Sequence, residues 1–210
     1  VIETTACRDG CRICAAACPT EAIDCAAGRP VVDLGRCLFC TACQEACPHG
    51  ALRFTGDWRL AARARGDLCT GAAGDTPAAA LGAELRRLLG RSLKLRQVSA
   101  GGCNACEADT NVLSTLVFDL GRFGIQFVAS PRHADGLLVT GPVTANMRLA
   151  LEKTYAAVPA PKIVIATGAC AISGGPYIGH PEAADGVDGL LPVDLYIPGC
   201  PPHPWTILDG

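Results

Sequence analysis

Two segments of the chain repeat one another. "CRICAAACPTEAI" (11–23) and "CTACQEACPHGAL" (40–52) carry cysteine at 11, 14 and 18 and again, 29 residues later, at 40, 43 and 47, with proline directly after the last cysteine of each copy. Ala22-Ile23 answers Ala51-Leu52, and each copy has one more cysteine upstream, Cys7 and Cys37. Units this short have too little apolar mass to bury a core of their own. Something inorganic has to fill the middle, and that requirement limits the possible folds more than any other feature.

The chain has fourteen cysteines in 210 residues, nine of them between residues 7 and 47. A disulfide framework needs an oxidising compartment. These cysteines are packed closer than separate disulfides usually are, and a reducing compartment is expected because residues 1–6 resemble neither an export signal nor a twin-arginine leader. Metal ligation is the better reading. Zinc sites usually present two separated pairs. The second copy instead reads C-x2-C-x2-C-x3-C-P, the run that holds [4Fe–4S] clusters in bacterial ferredoxins. Residues 1–55 therefore resemble a two-cluster bacterial ferredoxin, a family in which the fourth cysteine of each run ligates the other cluster. The resemblance implies one cluster on Cys7, Cys11, Cys14 and Cys47 and a second on Cys37, Cys40, Cys43 and Cys18. The first run departs from the pattern: three residues separate Cys7 from Cys11, and Gly10 would absorb the extra one as a bulged turn. Cys25 lies outside both frames and reads as a small buried apolar residue, and His49 reads as solvent-facing.

A formal charge of −2 excludes a strongly basic nucleic-acid binder. Nine of the eighteen Lys and Arg nonetheless fall between 53 and 96, either as a solvated helical connector or as a docking face for an acidic partner or membrane surface. No apolar run reaches the ~18–20 residues of a membrane span. Neither Val1 nor "ILDG" (207–210) carries a cap or exit signal, so both ends are expected to be trimmed.

Residues 57–92 read as a linker rich in Ala, Gly and Arg, followed by an amphipathic helix with Leu81, Leu85, Leu88 and Leu89 on one face. Beyond it strands alternate with helices. "LKLRQVS" (93–99), "IQFVAS" (125–130), "GLLVTG" (136–141), "KIVIATG" (162–168) and "VDLYIPG" (193–199) read as strands. Residues 106–120 read as a helix with Val112, Leu113, Leu116, Val117 and Leu120 on one face, and Met147, Leu151, Tyr155 and Val158 mark another. The fold class is α/β: a two-cluster ferredoxin-like domain (1–56), then a flavodoxin-like open parallel sheet (93–210). Such sheets bind ligands at the C-terminal ends of their strands. Cys103 and Cys106 follow the first strand, Cys170 follows "KIVIATGA" and Cys200 follows "VDLYIPG". Three strand ends thus deliver four thiolates to one side of the domain, the ligand set of a third [4Fe–4S] cluster. A thioredoxin-like Cys-x-x-Cys would leave Cys170 and Cys200 unexplained.

"GCNACE" (102–107), "GPVTANM" (141–147), "TGACAISGGPY" (167–177) and "GCPPHP" (199–204) resemble the small, cluster-bearing subunit shared by respiratory complex I and the [NiFe]-hydrogenases, over residues 93–210. The spacing Cys103-x-x-Cys106 is similar to the energy-converting, formate-hydrogenlyase branch, whereas complex I subunits typically have adjacent cysteines there. Glu107 and Asp109 stand where hydrogenase-like members often carry acidic residues; a proton relay and a plain helix-start role both fit them. The resemblance implies an electron-transfer subunit with three [4Fe–4S] clusters and no substrate-converting site of its own. It also implies a large subunit of hydrogenase or complex I type, membrane subunits of the same complex, an upstream electron donor, and a peripheral cytoplasmic position held through those partners. No flavin or nicotinamide site is expected, since "AGGCNACEAD" replaces G-x-G-x-x-G after the first strand. Two alternatives stand: a quinone-reducing complex whose large subunit lacks Ni–Fe, and a free-standing three-cluster carrier.

Overall fold

The cysteine-rich repeat folds as two small antiparallel pairs enclosing two short helices. The structure is a computed structural model and describes residues 2–8, 10–25, 28–71 and 92–210. Strand β1 (Ile2–Thr4) pairs with β4 (Leu52–Phe54), and β2 (Ile23–Asp24) with β3 (Val31–Val32). Helices α1 (Ile13–Ala16) and α2 (Ala42–Ala46) are the repeated elements, one per copy. Both are too short to be stable alone, so they depend on the residues packed behind them.

The repeated Ala-Ile and Ala-Leu pairs explain themselves here. Ala22, Ile23, Ala51 and Leu52 are all buried. The Ala22 amide donates to Cys18 Sγ at 3.2 Å and the Ala51 amide to Cys47 Sγ at 3.3 Å. Each copy thus ends its cysteine run in the same N–H···S turn and then buries one branched or long apolar side chain.

The second half forms a five-stranded parallel sheet in the order β6-β5-β7-β8-β9, with β5 Leu93–Ser99, β6 Ile125–Phe127, β7 Gly136–Thr140, β8 Ile163–Thr167 and β9 Leu195–Ile197. This is the flavodoxin-like order, in which chain direction across the sheet reverses beside the first strand. Strands β7 and β8 are near-continuous apolar runs because both of their faces are covered. Helices α3 (Ala105–Val112), α4 (Ala145–Ala157), α5 (Ala169–Ser173) and α6 (Pro204–Asp209) follow β5, β7, β8 and β9. Of the residues expected on the face of α4, Leu151 is fully buried, and Val158, at the helix C-cap, is buried too.

Helix α3 is shorter than the 106–120 expected from apolar spacing. The Thr110 hydroxyl donates to the Cys106 carbonyl and the Thr115 hydroxyl to the Val112 carbonyl, and the chain turns so that Leu120 N meets Leu113 O. Side-chain bonds of this kind compete with the helical ladder. The expected apolar face divides: Leu113 and Leu120 enter the core, while Leu116 is 99% exposed and Val117 74%. The amphipathic helix expected on Leu81, Leu85, Leu88 and Leu89 lies outside the described residues.

The two halves share one apolar core. Val32, Leu34, Ala62 and Leu68 belong to the same buried cluster as Ile172, Val187 and Tyr196. Ala62 and Tyr196 exchange backbone hydrogen bonds (3.0 and 2.8 Å), and the Ser173 hydroxyl at the end of α5 donates to the Gly35 carbonyl at 2.9 Å. Gly35 has to be glycine for this approach: a Cβ there would lie 2.7 Å from Ile172 Cγ2. Residues 57–71, read from sequence as part of a linker, instead run over this junction. Arg65 makes a two-pronged ion pair with Asp33 (2.7 and 2.6 Å).

Candidate metal centres

Cys103 and Cys106 sit at the turn into α3, Cys170 within α5 and Cys200 after β9. The β8 and β9 ends are tied together, since Gly168 N donates to Ile197 O and Ala169 N to Gly199 O, both at 2.8 Å. That brings Cys170 beside Cys200. Gly168 brings in a third thiol: a Cβ on it would stand 2.5 Å from Cys106 Sγ, and one on Gly175 would stand 2.9 Å from Cys170 Sγ. The two glycines form a cradle in which sulfur rests against backbone. Thr167, the last residue of β8, holds a buried hydroxyl with no hydrogen-bond partner among the described residues.

Electrostatics describe the same convergence. Burial, then the charges of Glu107, Cys170, Cys200 and Cys103, push the Cys106 thiol up to about 12. Burial, then Cys200 and Cys103, push Cys170 up to about 11, and burial together with Cys103 raises Cys200. Burial and neighbouring charge hold Cys106, Cys170 and Cys200 back from ionising, and a bound cation would favour their thiolates. Cys103 and Cys200 are exposed, so the site opens on one side.

Glu107 is buried against this site and accepts a 2.6 Å hydrogen bond from the Thr140 hydroxyl; Asp109, two residues on, is half-buried. The carboxylate is built into the sheet end instead of lying on a solvated helix start.

In the cysteine-rich half the thiols fall into two groups. Cys37 is pushed up to about 12 by burial and then by Cys43, Cys18 and Cys40, although the Phe39 amide bonded to its sulfur at 3.3 Å opposes this. Cys43 is raised by burial and by Cys18 and Cys40. Cys7 feels Cys11 and Cys47; Cys14, pushed up to about 12 by burial and Cys25, also feels Cys47. Cys47 is drawn down overall: burial raises it, but the Ala51, His49, Gly50 and Leu52 amides outweigh burial. His49 itself is exposed. Cys25, read from sequence as a small buried apolar residue, is half-buried with its sulfur 3.6 Å from Cys14 Sγ. Nothing in the local spacing signals this contact, which is made by the β2–β3 pair turning back toward α1.

Among the described residues, no three His, Cys, Asp or Glu side chains converge tightly enough to coordinate a single metal ion. Between the halves, Phe39 and Trp58 face Gly199, Pro201 and Trp205 across a cavity of about 400 Å³. No described helix is long and apolar enough to cross a membrane.

Comparison with known proteins agrees with this geometry. Residues 103–210 match the family NADH ubiquinone oxidoreductase, 20 Kd subunit, and residues 30–53 match a 4Fe-4S binding domain. The chain is 44% identical to the probable membrane-bound hydrogenase subunit mbhJ of Pyrococcus furiosus over 128 residues, 61% of this chain and 77% of that protein. It is 44% identical to formate hydrogenlyase subunit 7 of Escherichia coli over 136 residues, 65% of this chain and 53% of that protein. A chain in the structure of the membrane-bound sulfane sulfur reductase, an archaeal respiratory membrane complex, superposes with a TM-score of 0.51 at 37% identity, covering 61% of this chain and 70% of that one.

Proposed function

Because this chain belongs to the NADH ubiquinone oxidoreductase 20 Kd subunit family and carries a 4Fe-4S binding domain ahead of it, we propose that it is the electron-relay subunit of a membrane-associated hydrogenase-like complex, holding three [4Fe–4S] clusters. Bound clusters supply reversible one-electron chemistry. The observation that carries the reading is the junction between the halves. Gly35, two residues before Cys37, accepts from Ser173, three residues after Cys170. The ligand set of Cys37, Cys40, Cys43 and Cys18 therefore adjoins that of Cys103, Cys106, Cys170 and Cys200.

The relay runs from the Cys7, Cys11, Cys14 and Cys47 site, through the second site, to the third. Amides on Cys47 sulfur in the first ligand set, and on Cys18 and Cys37 sulfur in the second, stabilise the more negative state of those two sets and tune their potentials. Exposed Cys103 and Cys200 face the large partner, where the terminal chemistry takes place. Glu107, held by Thr140 behind Cys106, is the carboxylate placed to carry a proton at that face; Asp109 lies farther along the same helix. Membrane attachment comes through partner subunits, at the cytoplasmic face.

Iron and acid-labile sulfide analysis with EPR tests the proposal. About twelve iron atoms per chain are expected, three sites of four. Stoichiometric zinc, or a stable free monomer in the native extract, would refute it.

A further inference from the structure

The first site has one thiol more than a cluster has corners. Cys7, Cys11, Cys14 and Cys47 supply four, and Cys25 stands beside them with its sulfur 3.6 Å from Cys14 Sγ. The contact is fixed by backbone. Cys25 directly follows β2, whose register with β3 (Ile23 opposite Val32, Asp24 opposite Val31) anchors its position. Cys14, on α1, is 4% exposed, so the shared space is closed to solvent on its side. This is also the irregular half of the repeat. The 4Fe-4S domain match covers 30–53, and the first run carries the extra residue between Cys7 and Cys11. No cysteine holds the position equivalent to Cys25 in the second copy: 29 residues on stands Phe54.

Resting on the reading that the first site holds a cluster, we propose that Cys25 is a reserve ligand which takes the Cys14 corner when Cys14 is lost or displaced. Two sulfurs in van der Waals contact are served by almost the same corner, so the exchange needs little more than a side-chain rotation. It breaks Cys14 Sγ–Fe and makes Cys25 Sγ–Fe. The proton leaving Cys25 passes to Cys14 and no electron moves.

The test uses the full chain, isolated anaerobically, with iron, sulfide and EPR measured on the wild type, Cys14→Ala, Cys25→Ala and the double variant. Cys14→Ala is expected to keep about twelve irons with an altered first-cluster signal, and the double variant to keep about eight (one four-iron site lost). Cys14→Ala falling to eight overturns the proposal. Should Cys14→Ala not fold, the rate of first-cluster loss under chelator decides: faster loss in Cys25→Ala than in wild type supports a reserve ligand, and equal rates overturn it. A wild type that lacks the first cluster altogether refutes the three-cluster reading instead, before any variant is made.

Discussion

Gly168→Ala attacks the third site without touching a ligand. The glycine has φ 90° and ψ 154°, a region that residues with a Cβ essentially do not enter, at a cost of about 1–3 kcal/mol. The added methyl would also stand 2.5 Å from Cys106 Sγ. Non-bonded heavy atoms settle about 3.5–4.0 Å apart, so the sulfur must retreat by about 1–1.5 Å. Metal ligands tolerate about 0.2 Å. The displacement is several times that tolerance, and the sulfur backs onto the sheet end where Glu107 is packed. Iron should therefore fall from about twelve to about eight per chain, with the third-cluster EPR signal gone and the other two unchanged. The backbone strain alone should lower Tm by about 2–12 °C for a chain of this size. Gly189→Ala, at a glycine with open space around it and no positive φ, is the control and should keep every cluster. If Gly168→Ala keeps twelve irons and wild-type spectra, Cys106 does not ligate from the position described, and the third ligand set is wrong.

Three other outcomes follow from the same geometry. Gly35→Ala should keep its iron yet slow electron transfer between the second and third clusters, read by stopped-flow reduction, because its Cβ would stand 2.7 Å from Ile172 Cγ2 and wedge the halves apart. Thr140→Val removes the 2.6 Å bond to buried Glu107 and should cost about 1–3 kcal/mol in thermal unfolding, whereas Thr140→Ser should keep most of it. The apoprotein should lose stability as pH rises from about 9 towards 11 or 12. There the unfolded chain has released thiol protons that Cys106, Cys170, Cys37 and Cys14 still hold when folded, so the folded state binds more protons and stability falls with pH. Melting curves of apo and loaded protein across that range check this, and the loaded form, with thiolates already on iron, should lack the decline.

What was legible in the sequence is what short-range spacing encodes. The cysteine runs repeat within 13-residue units, and "LKLRQVS" is a strand over the residues read, Leu93–Ser99. Placing Cys103, Cys106, Cys170 and Cys200 on one side needed only the rule that parallel strands open at their C-terminal ends. What escaped is set by contacts between distant residues. The end of α3 at Val112 depends on threonine hydroxyls that bond to backbone carbonyls, a competition that apolar periodicity does not register. The burial of Glu107 depends on Thr140, 33 residues away, and the junction on Gly35 and Ser173, 138 apart. The Cys14–Cys25 contact depends on the course of a hairpin whose two-residue strands leave almost no pattern to read.

The shared core gives the relay its rigidity. A cysteine-rich unit of about fifty residues with helices of four and five residues cannot bury enough apolar surface to fix its own orientation. Here Val32, Leu34 and Leu68 pack in the same cluster as Ile172 and Tyr196, and Arg65, carried on the segment that crosses the junction, is bonded to Asp33 two residues before Gly35. Separating the halves would expose that apolar surface and break the Ala62–Tyr196 and Ser173–Gly35 hydrogen bonds together. A flexible linker would let the distance between second and third clusters vary. Folding both halves around one core makes that distance a property of the native state, so in the proposed relay the junction residues, one of which (Asp33) accepts from the Cys37 amide at 3.0 Å, are where the rate would be set.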